Sequence, residues 1–148
     1  MNPSPRILLL NGPNLNLLGT REPHIYGTQT LREVEEIVTL KAAELGYEVD
    51  ALQSNHEGEL IDALHRGRTT NVGVLLNAGG LTHTSVSLRD AVQASELPMV
   101  EIHLSNVHRR EEFRHRSFLS DVAIAVIVGA GASGYRFGVE ALHEHLSK

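Results

Sequence analysis

The stretch Val72-Gly73-Val74-Leu75-Leu76-Asn77-Ala78-Gly79-Gly80-Leu81-Thr82-His83-Thr84 passes abruptly from an apolar run to a cluster of amides, glycines, hydroxyls and an imidazole. A short, mostly apolar run is the pattern of a strand covered on both faces, as in a parallel sheet. Three more such runs occur: Ile7-Leu8-Leu9-Leu10, Met99-Val100-Glu101-Ile102, and Val122 to Val128. Tyr47 to Leu52 is a weaker fifth strand. Helical periods separate them. Thr30 to Leu45 places Leu31, Val34, Val38, Ala42 and Leu45 on one face, opens with a Thr30/Glu33 capping box and stops at Gly46. Ser54/Glu57 opens a second helix carrying Leu60, Ile61 and Leu64 before Gly67; Ser85 to Ser95 is a third, ended by Pro98; Gly134 to Leu146 is a fourth. Strand–helix alternation of this kind predicts an α/β fold. It is a flavodoxin-like three-layer sandwich with a five-stranded parallel sheet in the order 2-1-3-4-5.

The 148 residues suit one domain, 1–148, and 41% hydrophobic residues supply a core without any apolar run long enough to span a bilayer. There is no Cys, so disulfides, thiol nucleophiles and thiolate metal sites are excluded. The first residues, Met1 to Arg6, lack the order of a secretion signal, and a cytoplasmic location is the expectation. With 13 basic against 18 acidic residues and no basic block longer than Arg109-Arg110, neither a nucleic-acid surface nor a membrane partner is expected. Only Lys41 and Lys148 are lysines.

Ligands of such sheets sit beyond the carboxyl ends of the strands, near the point where strand order reverses. The segments expected there are Asn11 to Gly27 after strand 1, Asn77 to Thr84 after strand 3 and His103 to His108 after strand 4. They bring Asn14, Arg21, Tyr26, Asn77, His83 and His103 toward one cleft. Gly19 to Gly27 is a long polar connection of the kind that forms lids. Its spacing leaves Tyr26 either a lid residue or an exposed loop aromatic. A phenol ordinarily titrates near pH 10, so a tyrosinate base needs positive charge beside it. Arg21, five residues away, is the obvious supplier.

Other motifs read more plainly. Gly129-Ala130-Gly131-Ala132-Ser133-Gly134 is a formal GxGxxG, but only 14 residues follow it, too few for a later strand bearing the acidic ribose ligand. It reads as a tight strand-to-helix turn. A flavodoxin-like nucleotide- or flavin-binding module is the alternative function that the fold and this turn leave open. His83, His103 and His108 could gather, yet no HExxH-like spacing occurs, and no metal is expected. Arg89-Asp90 and the run Arg109 to Arg116 read, taken alone, as solvated charge.

Taken in order, Asn11 to Gly19 with Arg21-Glu22-Pro23 and Tyr26-Gly27, then Gln53 to Asp62, Asn77 to Thr84 and Glu101 to Val107, resemble the type II 3-dehydroquinate dehydratases. The resemblance covers about residues 7 to 146. It implies a cofactor-free elimination of water from 3-dehydroquinate through an enolate. In that scheme Tyr26 is the general base, Arg21 activates it, Asn14 helps bind the water that holds the enolate, and His103 is the general acid with Glu101 behind it. Asn77, His83, Arg114 and the Leu104 and Ser105 amides match substrate binders, and Asp90 matches a residue reaching in from a neighbouring subunit. The assembly implied is a homo-oligomer, a dodecamer of four trimers. The type I enzymes use a lysine Schiff base instead, which fits neither Lys41, inside an amphipathic helix, nor Lys148, the last residue.

Overall fold

The computed structural model describes residues 3–148, so Met1 and Asn2 of the leader reading lie outside the described residues. The chain runs β1 (Arg6–Asn11), α1 (Pro23–Tyr26), α2 (Leu31–Glu44), β2 (Glu48–Gln53), α3 (Glu57–Thr70), β3 (Gly73–Asn77), α4 (Val86–Ser95), β4 (Met99–His103), β5 (Ala125–Val128) and α5 (Ser133–Leu146), with short 3-10 turns between them. All pairings are parallel and the sheet order is β2-β1-β3-β4-β5. That is the order the alternation of elements predicts.

Two cores follow from this topology. On one face of the sheet, Ile7, Leu9, Leu75, Val100 and Ile102 pack with Val34, Val38 and Ala42 of α2 and with Tyr135, Val139 and Leu142 of α5. On the other, Leu8, Leu10, Val74, Leu76 and Met99 pack with Leu60 and Leu64 of α3 and Leu88 and Val92 of α4. Alternate residues of one strand therefore feed opposite layers, and this is why β1, β3 and β4 read as short, mostly apolar runs. Lys41, at the end of α2, is held by Glu140 of α5 at 3.1 Å and Glu44 at 3.3 Å, tying two helices together.

Three boundaries differ from the sequence reading by more than a residue, each for a local reason. The run Val122 to Val128 is a strand only from Ala125, because Ser120–Val122 close a 3-10 turn; β5 is also an edge strand, with Val126 44% exposed, and so is not covered on both faces. Ser54 does not cap α3: its hydroxyl accepts the His56 N–H at 2.9 Å, and the helix begins at Glu57 with His56 as its cap. Nor does Gly67 end that helix, which continues to Thr70; a Cβ there would meet Asn71, Leu97 and Leu8 at 3.2 to 3.3 Å, so the glycine serves close packing. Thr30 caps α2 as expected, accepting the Glu33 N–H, and Ser85, read as the start of its helix, is the cap of α4, accepting the Leu88 N–H.

The switch point between β1 and β3 is clamped from below. Asn11 and Asn77 are register partners at the strand ends, and the buried Tyr135 hydroxyl joins them, donating to Asn11 Oδ1 at 2.6 Å and accepting from Asn77 Nδ2 at 2.8 Å. Burial pushes the Tyr135 phenol far up, so it stays neutral. Removing that hydroxyl strands a buried donor and acceptor. Tyr135→Phe is therefore expected to destabilise the fold by about 1–3 kcal/mol, read by chemical denaturation.

Candidate active site

The loop after β1 leaves the sheet at Gly12, where the backbone passes so close to β3 that a Cβ would stand 2.5 Å from the Ala78 carbonyl oxygen. Gly12 N–H donates to the Asn77 carbonyl at 2.8 Å. Asn14 then turns left-handed (φ 71°), with its N–H donated to Asn55 Oδ1 at 2.9 Å. Gln53 Nε2 bonds both the Gly12 carbonyl and Asn55 Oδ1 at 3.2 Å. Gln53 at the end of β2 and Asn55 just beyond it thus hold the loop that carries Asn14, a role their spacing gives no sign of.

Beyond Gly19 the connection is not a bare loop. Pro23 pre-sets the first turn of α1, Glu22 ahead of it is left-handed (φ 39°), and Gly27 ends the helix. This short helix stands Tyr26 at the cleft between two cations, with the Arg21 guanidinium 4.9 Å and the Arg110 guanidinium 5.0 Å from its ring centroid. Arg110 was hidden in the charged run 109–116, which reads as solvated until 3-10 turns at Val107–Arg109 and Glu112–His115 curl it inward. Arg114 lines the same cleft. Glu111 sits between the two arginines, 3.2 Å from Arg114 Nε and 3.7 Å from Arg110 Nε. Its own backbone N–H and the Arg114 guanidinium hold that carboxyl below the usual range.

Opposite lie the two histidines. His103 ends β4, 7% exposed, and its Nε2 bonds Glu101 Oε2 at 2.5 Å. Glu101 is itself 1% exposed; burial pushes its carboxyl up, but hydrogen bonds from His103, Ser120 and Ser117 outweigh that and hold it below the ordinary range. An ionised Glu101 requires the proton of this bond on Nε2, leaving Nδ1 as the ring nitrogen available to a ligand. His83 stacks beside it, with centroids 6.3 Å apart and planes at 20°. His83 Nδ1 donates to the Arg116 carbonyl at 2.6 Å, so its Nε2 is the available atom.

One cleft is thus lined by Asn14, Arg21, Tyr26, Asn77, His83, His103, Leu104, Ser105 and Arg114. Those are the sequence-derived candidates, with Glu101 directly behind His103. Asp90 is the exception: it lies exposed on α4, outside the cleft of its own chain. Asn77 does not enter freely, since its Nδ2 bonds Tyr135 and its Oδ1 accepts the Gly79 N–H at 3.2 Å. His108 pairs with His115, ring centroids 5.9 Å apart, rather than with His83 and His103; among the described residues no three His, Asp or Glu converge as a metal-ligand group. Two amides of the Gly129–Gly134 turn are taken by the end of β4 and the residue after it: Gly129 N–H bonds the His103 carbonyl and Gly131 N–H the Leu104 carbonyl. Those amides are not presented to a phosphate.

The family model described as "Dehydroquinase class II" matches residues 5–143. The chain belongs to the class II dehydroquinase family. Among curated members, "3-dehydroquinate dehydratase 1" of Corynebacterium efficiens is 65% identical over 144 residues, covering 97% of this chain and 95% of that protein. "Catabolic 3-dehydroquinase 2" of Aspergillus flavus is 58% identical over 142 residues, 96% and 95% of the two. The crystal structure of the type II dehydroquinase from Propionibacterium acnes superimposes with a TM-score of 0.91 at 35% identity, covering 97% of this chain and 99% of that one. Among the described residues no helix is long and apolar enough to cross a membrane.

In this dehydroquinase-family cleft, His83 gives a pH test of the geometry. Burial pushes its imidazole below the ordinary range, the Arg116 carbonyl opposes this, and the charges of His103 and Arg114 add to the lowering. The folded state therefore binds this proton less readily than the unfolded chain. The stability owed to neutral His83 is fully present above about pH 6.5 and is lost as pH falls below that toward the folded value. Denaturant titrations between about pH 7.5 and 5 should show wild type losing more stability on acidification than His83→Asn; parallel curves would refute the burial of a neutral ring.

Proposed function

We propose that this chain removes water from 3-dehydroquinate to give 3-dehydroshikimate through an enolate, with Tyr26 as base and His103 as acid. The observation that carries the reading is Tyr26 between the Arg21 and Arg110 guanidinium groups, on the same cleft as the His103–Glu101 pair. Tyr26 acts as the phenolate, whose oxygen takes a proton from C2, beside the C3 ketone, with the Arg21 and Arg110 guanidinium groups at its ring. The electron pair of that C–H bond passes into the carbonyl as an enolate. Asn14 and a water it binds supply hydrogen bonds to the developing oxyanion. Collapse of the enolate forms the C1–C2 double bond and expels the C1 hydroxyl, which takes a proton from His103 Nδ1 and leaves as water. Glu101 pairs with the charged ring before that transfer and keeps the Nε2 proton in place after it. Both side chains recover their starting protonation from solvent.

Substrate is held in this scheme by the Leu104 and Ser105 backbone amides at its carboxylate and by Asn77, His83 and Arg114 at its remaining oxygens. Asp90, exposed on its own chain, matches the family residue that reaches the cleft of a neighbouring copy, and on that resemblance the working form is a dodecamer of four trimers. Light scattering should report that assembly, and a monomer would contradict the role given to Asp90.

The reaction is assayed directly: 3-dehydroquinate should yield a conjugated enone absorbing in the near ultraviolet, with or without a metal chelator. Tyr26→Phe should lower kcat by on the order of a hundredfold or more with substrate binding largely retained. Near-wild-type turnover by that variant would remove Tyr26 as the base.

A further inference from the structure

Between the last arginines of the charged run and β5, residues Arg116 to Ser120 pass beneath both cleft histidines. The Arg116 carbonyl accepts from His83 Nδ1 at 2.6 Å. Phe118 N–H donates to the carbonyl of Thr82, the residue before His83, at 2.9 Å. Ser117 Oγ donates to Glu101 Oε2 at 2.9 Å, the same oxygen that His103 Nε2 bonds, and Ser120 Oγ donates to Oε1 at 2.7 Å. Ser117 Oγ also accepts the Leu119 and Ser120 N–H groups at 3.0 and 3.1 Å, so one hydroxyl both turns the chain and serves the carboxylate. Arg89 of α4 fastens the segment from outside, donating to the Phe118 carbonyl at 2.8 Å and pairing with Asp121.

We propose that Ser117 and Ser120 are positioning residues for the acid step: acting through Glu101, they aim the His103 ring and govern how readily it gives up its proton. The proposal rests on the dehydratase reading of the cleft. Glu101 is 1% exposed, and its hydrogen-bond donors are His103 and these two serines. A carboxylate in so dry a place shares its charge among the donors it has. With one serine hydroxyl gone, more of that charge falls on the His103 bond. The pair then holds its proton more tightly, and the ring loses one of the contacts that fix its plane. Neither serine lines the substrate cleft, so the effect belongs to kcat rather than to KM.

The other charged groups around the pair are the same in wild type and in a serine variant. His83 faces it from the turn after β3, and Arg21 and Tyr26 from the β1 loop. From the connection after β4 come Arg110 and Arg114 on the cleft side and His108, His115 and Arg116 behind. A shift in the His103 titration on serine replacement is therefore referable to the lost hydroxyl.

Ser120→Ala is the primary variant, because that hydroxyl has Glu101 as its only partner among the described residues, whereas Ser117 also holds a turn. In Ser120→Ala, kcat should fall about tenfold with KM unchanged within about twofold. The His103 imidazole, followed by proton–nitrogen NMR without substrate, should titrate at higher pH than in wild type. Ser117→Ala should move both in the same direction, and Ser120→Thr, which keeps the hydroxyl, should return both toward wild type. An unmoved His103 titration in the two alanine variants overturns the proposal, whether or not kcat falls, since a loss of rate alone would make the serines merely structural. The NMR arm needs no turnover. A wild-type protein inactive toward 3-dehydroquinate would overturn the dehydratase reading, while the titrations would still decide how the serines act on His103.

Discussion

The cleft depends on one buried hydroxyl. Tyr135 comes up from α5 through the core and meets the sheet where strand order reverses, satisfying Asn11 on β1 and Asn77 on β3 at once. A polar group placed so deeply is tolerated only when paired, and here each partner ends the strand that launches one wall of the site. Asn77 in turn receives the Gly79 N–H, so the chain entering the His83 turn is aimed by the same network. Gly12, pressed against Ala78 above it, brings the Asn14 loop over the other strand end. Helix packing, sheet register and the position of two cleft walls are therefore one problem with one solution.

Charge is distributed against the average of the chain. The net formal charge is −5, yet the cleft gathers Arg21, Arg110 and Arg114, with Glu111 outside holding two of them in line. A concave site lined by positive charge attracts an anionic substrate and favours an oxyanion once it forms. The single buried acid of the site, Glu101, stands behind His103, where it can support a positive ring without meeting the substrate's carboxylate.

How much of this could be read from the amino-acid sequence follows from how local each signal is. β1, β3 and β4 are legible because burial on both faces leaves a mostly apolar run, broken in β4 by Glu101, and the residues that follow such runs meet at the switch point. His83 and His103 are legible that way, and Tyr26 with Arg21 from the long polar loop that follows β1 and the charge a tyrosinate needs. The roles of Asn14, Asn77, Arg114 and Asp90 need the family motifs as well, since an amide in a loop and a charge in a polar run have no period to read. Arg110, Asn55 and the serine pair were invisible because their roles are set by the partner reached: a 3-10 turn swings Arg110 onto Tyr26, and Ser117 and Ser120 meet a carboxylate many residues earlier in the chain. The errors at Gly67 and Val122 have a similar source. A glycine signals a stop or a close contact equally well, and an apolar edge of a turn looks like the start of a strand.

The central claim is spatial: a base on the β1 loop and an acid at the end of β4 act on opposite ends of one small elimination. A crystal structure with a non-reacting analogue of 3-dehydroquinate tests it most directly. The analogue is expected between Tyr26 and His103, with the atom equivalent to C2 facing the Tyr26 hydroxyl and the C1 oxygen within hydrogen-bond reach of His103 Nδ1. An analogue bound outside this cleft, or one that presents neither position to those two atoms, would contradict the account.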